Sequence, residues 1–370
     1  MNDEKKEGYI SSRNVIAYVF DESFEKEITS FPDSYKQSLR FLHVLYPEWN
    51  YVPLSTSLDF NDTASIFQSK SLIDTNDSSM IASPDIIEGQ TWCRVSLNAA
   101  RYFLDPRNGL DAYHALMFEK LTYNSSETLQ EGKRMLEGTE MSGIEPQSKK
   151  DWAELYRHSA EVNNISMSLL ITRAIQEQTG GGLGLCGGHA RNNPQGPLFY
   201  NIYNIGANSS DQDGIDFAAS RNWDTREKAI LYGSKYLMNN YITKGQDSLY
   251  LQKFDVHNNN PGHHYYMSNI RAPYSEAKNM LKGYISNNMD HVKRILEIPL
   301  YTNMPVYNAY PNSIDINCSG TIMKNPYCEY QIKNTYKNLI ENVDYISINH
   351  KTYTHIVGLN NYYGSCDIPK

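Results

Sequence analysis

Apolar residues recur at helical spacing through most of this chain, and alternating or β-branched runs interrupt them near its two ends. The spacing predicts a first helix over 31–45, where Tyr35, Leu39, Leu42 and Leu45 line one side, Pro32 sits early and Pro47 ends the run. Trp49, Tyr51 and Leu54 then read as extended, and the Ser-, Asp- and Asn-rich stretch 55–90 as mostly loop with short turns of helix. Helical spacing resumes over 92–104 and stops at the turn sequence Asp105-Pro106-Arg107-Asn108-Gly109. Further helices are predicted over 112–121, 125–136, 152–162, 166–177, 226–241 and 274–285, with 198–205 as a short strand. The fold class is therefore mainly α. Residues 301–370 contain Pro305, Pro311 and Pro326, with β-branched and Tyr runs at 345–348 and 352–357, and read as a small β-rich appendage. The resulting division is 1–110 as an N-terminal helical extension packed on a catalytic domain, 111–305 as that domain, and 306–370 as an appendage of unassigned role.

One carboxylate stands out in this pattern. Ser166 offers an N-cap oxygen to the helix over 166–177, and walking back from Glu177 at helical spacing gives Ala174 and Leu170. The acid thus continues an apolar stripe, just ahead of the glycine-rich run from Thr179. Desolvation raises a carboxyl pKa by up to ~3 to 5 units, far more than a helix C-terminus adds, so this acid is expected to hold its proton. A carboxylic acid protonated near neutral pH suits the protonation of a departing sugar oxygen. The same run also reads as an exposed helix end capped by glycines. Arg173 reads as facing away from the stripe, in an ion pair.

Composition narrows the partners. With 370 residues the chain has room for two or three domains, and no apolar run approaches the ~20 residues of a membrane helix. The apolar run 15–20 is too short for a secretory leader, so no signal peptide is visible. A net charge of -8 argues against nucleic acid. The 29 tyrosines suit sugar stacking, and equally suit sheet faces or biased codon usage. Five cysteines form no CxxC pair; Cys318, Cys328 and Cys366 allow one disulfide or free thiols, and Cys93 reads as core. Cys186 with His189 has the residue types of a thiol nucleophile and base, although such pairs normally come from distant positions. His257, His263 and His264 with Asp255 have metal-ligand types without the HExxH spacing, so neither metal nor cofactor is expected.

Several strings in order resemble the glucosaminidase-type peptidoglycan hydrolases, glycoside hydrolase family seventy-three. Gln176-Glu177-Gln178 is similar to that family's catalytic-acid motif, and Tyr200-Asn201-Ile202-Tyr203-Asn204-Ile205-Gly206-Ala207 to its strand motif. Residues 223–230 and 233–236 resemble the following helix, and His264-Tyr265-Tyr266-Met267-Ser268-Asn269-Ile270 the segment carrying an active-site tyrosine. The resemblance spans about 31–305, while the loop 183–189 departs from the usual pattern. It implies a lysozyme-like α+β fold that cuts the β-1,4 bond after N-acetylglucosamine in peptidoglycan glycan strands, secreted or wall-associated. It also implies Glu177 as general acid, Tyr266 near the reacting sugar, and Gln178, Tyr200, Tyr203, Asn204 and His264 along the substrate groove. Asp211, Asp213 and Asp216, expected in a loop, are candidates for a second carboxylate, although a solvated acidic loop is the plainer reading; the substrate's N-acetyl group is the alternative. Competing functions are a lytic transglycosylase on the same glycan, a catalytically silent glycan-binding protein, and a partner-binding scaffold using 1–110.

Overall fold

The computed structural model describes residues 18–178, 184–191, 193–207, 210–258, 260–265, 267–287, 289, 292–305 and 308, and the strands 345–349, 353–358 and 365–369. The described residues open with α1 (Glu22–Glu27) and α2 (Asp33–Leu45), and then run as β1 (Trp49–Asp59) into α3 (Phe60–Lys70). Burial alternates along the start of β1, with Trp49 and Tyr51 inside and Asn50 and Val52 outside, as a strand with one packed face requires. The polar stretch after it is not loop. Asp59 accepts from the amides of Asn61 and Asp62 and so caps α3. Beyond α3, β2 (Leu72–Asp74), β3 (Ile81–Glu88) and β4 (Trp92–Val95) form a sheet in the order β2-β4-β3. Asp59 and Asp74, which looked like loop markers, are helix caps, the other common position of aspartate. Ser96 divides the run expected as one helix over 92–104: β4 precedes it, and its hydroxyl caps α4 (Leu97–Leu104).

The central region holds α5 (Leu129–Leu136), α6 (Trp152–Asn163) and α7 (Met167–Glu177), then a ribbon of β5 (His189–Ala190) and β6 (Leu198–Phe199). It continues with α8 (Asp211–Ser220), α9 (Arg226–Asn240), α10 (Leu249–Phe254) and α11 (Ala272–Ser286) before β7 (Arg294–Thr302). The helix expected over 112–121 is only a 3-10 turn at Ala115–Phe118, because the chain then straightens to pair with β7 through Lys120 N–H to Ile295 O at 2.8 Å. The strand expected over 198–205 covers only 198–199, and 200–206 is a set of turns. In the C-terminal region β8 (Tyr345–Asn349), β9 (Tyr353–Gly358) and β10 (Ser365–Pro369) form an antiparallel sheet in sequence order. The side chain of Cys366, with Cys318 and Cys328, lies outside the described residues, as does any disulfide among them.

Two long-range links place the N-terminal region. β1 pairs with β7 in parallel, Trp49 opposite Arg294 and Ser55 opposite Leu300, so strands from the two ends of the described helical body close on each other. Leu72 bridges Asn269, and Lys70 reaches Gly262 O at 2.7 Å, so the same region grips the segment 262–270. The fold is mainly α with small sheets, and one core runs through it from Phe24 to Tyr301.

A buried charge cluster pins α7 from behind. Glu127 accepts from the Met167 and Ser168 amides at 2.8 and 3.3 Å and from Ser166 Oγ at 3.1 Å, placing a carboxylate on the positive end of the helix. Arg294 lies 3.6 Å from Glu127, bonds Glu119, and stacks 3.6 Å from the Tyr284 ring. Burial opposes the charge on Arg294, yet Glu119, Tyr284 and Glu127 hold the guanidinium above its usual value. Burial also lifts the Glu119 carboxyl in spite of Arg294. The arginine governs, since a guanidinium does not deprotonate in a protein, and Glu119 is the member that takes a proton on acidification. Replacing Arg294 by Leu strands two buried carboxylates, and the expected loss in denaturant unfolding is about 3–5 kcal/mol; a loss below about 1 kcal/mol contradicts the role given to the cluster.

Candidate active site

The end of α7 is organised by one carboxamide. Leu169, Leu170, Ile171 and Ala174 hold the helix in the core, and its final residue, Glu177, is half-buried. The dry acid expected from the apolar stripe is not found, because the next residue goes inside instead. Gln178 is fully buried, and its Nε2 lies 3.1, 2.8 and 3.1 Å from Asn201 O, Ile202 O and Asn204 Oδ1, while its Oε1 accepts from Cys186 N at 2.8 Å. Asn204 completes the link by donating from Nδ2 to Glu177 O at 2.6 Å, in a left-handed backbone conformation with φ 48° that asparagine tolerates. Gln178, expected to touch substrate, is therefore framework: its carboxamide is held on both sides by protein. Asn201 bends the following turns through Nδ2 to Ile205 O and Gly214 O, both at 2.9 Å.

Tyr200 and Tyr203 are buried too, which corrects their expected place along the substrate groove. The Tyr200 hydroxyl accepts from Gln147 at 2.6 Å, and its ring lies 4.9 Å from the Arg226 guanidinium. A Cβ at Gly188, where φ is 94°, would stand 2.7 Å from that ring. Tyr203 packs where α9 presents Gly233. Arg226 ties the divergent loop down through Cys186 O at 3.0 Å and Glu145 at 3.0 Å. Burial works against the charge of Glu145, but the Ser148 and Gln147 amides and Arg226 hold its carboxyl below the usual range. Burial pushes the Cys186 thiol up to about 12, and His189 bonds Gly184 O instead of the sulfur. A thiol protonated at neutral pH is no nucleophile, and the thiol-peptidase reading fails.

The opposite side holds groups that the sequence pattern missed. Arg173 does not face away from Glu177: four residues is close to one helical turn, and Arg173 is buried against Glu276 of α11 at 3.2 Å. Burial pushes the Glu276 carboxyl up, Arg173 draws it back, and the charge of Glu177 pushes it up again, so Glu276 lies within electrostatic range of the proposed acid. Beside it, Lys253 is buried and bonds Met267 O and Ser268 O at 2.8 and 3.1 Å. His264 is half-buried, its Nδ1 2.6 Å from Gln246 Oε1 and its amide bonded to Asp255, and burial with Lys244 holds its imidazole below the ordinary value. Tyr266 itself lies outside the described residues. No set of His, Cys, Asp and Glu fit for a metal is found among the described residues.

The three candidate second carboxylates are not in a loop. Ser210 caps α8, which places Asp211 and Asp213 in its first turn and Asp216 further along, paired with Arg191 at 2.9 Å. Gln212 and Arg191 hold the Asp216 carboxyl below its usual range, so this member is engaged as an ion-pair partner. Asp211 is exposed and Asp213 half-exposed.

Over 153 residues, 40% of the chain, the sequence is 30% identical to the bifunctional autolysin of Staphylococcus aureus strain MSSA476, and 29% identical over the same length to that of strain N315. The match spans 12% of the length of those autolysins. No family model matches the chain. The fold is that of S. aureus glucosaminidase B, with a TM-score of 0.54 at 20% identity over 68% of this chain and 94% of that one. The resemblance read from the motifs is thus borne out as homology to an autolysin, and the mainly α, lysozyme-like fold as that of a glucosaminidase.

Burial gives the wall beside Glu276 its own pH signature. Lys253 is drawn down from the usual 10.5 to about 7 by desolvation. Between those values the unfolded chain binds the proton that the folded chain lacks, so this lysine adds stability as pH rises from about 7 towards 10.5 and none of that gain remains below. The stability of the parent is expected to climb relative to Lys253→Met when thermal unfolding is followed from neutral to alkaline pH. A constant gap between the two contradicts this.

Proposed function

We propose that this chain, an autolysin homologue with a glucosaminidase fold, hydrolyses the β-1,4 bond after N-acetylglucosamine in bacterial peptidoglycan, secreted from the cell or held at its wall. The observation that carries this reading is the presentation of Glu177: half-buried, ending a core helix, with its carbonyl held by Asn204 and the next residue locked beneath it. A carboxyl on so stiff a mount keeps its aim at a glycosidic oxygen, and positioning supplies much of an acid's effect. Glu177 protonates the leaving oxygen as the sugar takes on oxocarbenium character. Of the α8 acids, the exposed Asp211 suits a base for water better than Asp216, which Arg191 already pairs; Asp213 and the N-acetyl group of the substrate are the other routes. His264 and Tyr266 belong to the segment that faces the reacting sugar, with Tyr200, Tyr203 and Asn204 supporting the groove from within. On this reading 1–110 buttresses a catalytic domain of 111–305, and 306–370 is a separate appendage.

Glu177→Gln is expected to lower lysis of purified walls by about 10²–10⁴-fold, with the thermal unfolding midpoint unchanged; undiminished lysis removes the acid from the mechanism. Mass spectrometry of borohydride-reduced digests is expected to find reduced N-acetylglucosamine ends. Anhydro sugars would make the enzyme a lytic transglycosylase.

A further inference from the structure

The outer side of α9 and the turn after α8, with no residue of α7 in the lining, enclose an open cavity of about 520 Å³, within the ~300–1,000 Å³ of small-ligand sites. Its lining is chemically selective. Three cations, Arg221, Lys228 and Lys235, alternate with three rings, Trp223, Tyr232 and Tyr236, and among the described residues no carboxylate lines it, in a chain of net charge -8. Lys228, Tyr232, Lys235 and Tyr236 share one face of α9, while Ala229, Ile230 and Gly233 take the other into the core. Tyr232 and Tyr236 remain 45% and 39% exposed. Lys228 is paired with Asp224 at 2.6 Å, whereas neither Arg221 nor Lys235 has a carboxylate within ion-pair distance among the described residues. Arg221 is held in place by its contact with the Phe217 ring at 3.5 Å and by Ser220 Oγ at 3.0 Å.

Exposed phenol faces offer stacking to the apolar faces of pyranose rings, and fixed cations at their edge offer charge-assisted bonds to an anion. A protein partner would call for a larger apolar area, and a nucleic acid for a longer basic track. We propose that this cavity is a second glycan site, separate from the one at Glu177, that takes an acidic saccharide: rings on Tyr232 and Tyr236, carboxylate or phosphate on Arg221 and Lys235. The site retains the enzyme on a polymer that carries charge along its length.

Binding is read without catalysis, on Glu177→Gln protein sedimented with purified bacterial sacculi, so its outcome is independent of the role of Glu177. The protein is expected to pellet with sacculi and to be released by rising salt. Adding Arg221→Glu and Lys235→Glu is expected to weaken binding about tenfold, with the milder Lys235→Gln and Tyr232→Ala each giving a smaller loss in the same direction. Circular dichroism confirms that each variant is folded. Sacculi stripped of phosphodiesters separate the sources: binding lost on stripping assigns phosphate, and binding kept assigns carboxylate. The proposal is overturned if the parent does not pellet, if the folded charge-reversed protein binds as the parent does, or if the substitutions weaken binding to neutral chitin equally.

Discussion

The carboxamide of Gln178 is the contact on which the site's geometry depends. It reaches the carbonyls of Asn201 and Ile202, the side chain of Asn204 and the amide of Cys186, so the end of α7, the aromatic turns and the divergent loop meet at one buried group. An amide can do this because it offers donors and an acceptor at once; a carboxylate could not bond the carbonyls, and an apolar residue would leave all of them unpaired in the core. The residue before it is thereby fixed at the rim.

The other end of the same helix is held by charge. Glu127 covers the N-terminal amides of α7, and Arg294 from β7 sits within ion-pair distance of both Glu127 and Glu119. Because β7 pairs with β1, the N-terminal region takes part in that restraint, and through Leu72 and Lys70 it also steadies the segment around His264. A helix tethered at both ends transmits little slack to its last residue, which is what a general acid needs.

Much of this was legible in the sequence. The helices over 152–162, 166–177, 226–241 and 274–285 follow from apolar spacing alone, and the motif around Glu177 led to the right relatives. The failures share a cause: short polar side chains do work that a period cannot reveal. Asp59 and Ser210 start helices where loops were expected, and Asn201 turns a run that looked like a strand. Gln178 looked like a substrate contact because a motif gives proximity without saying which way a side chain points. Glu276 was invisible for a different reason, since its link to Arg173 crosses 103 residues and leaves no local trace.

The central claim is that Glu177 stands beside a glycosidic oxygen while Gln178 stays beneath it. A crystal structure of the Glu177→Gln protein with a peptidoglycan tetrasaccharide tests it most directly. The account predicts the residue-177 carboxamide within about 3.2 Å of the scissile oxygen, with every Gln178 contact kept. A glycan seated elsewhere, or one that draws Gln178 out of the core to meet it, would contradict it.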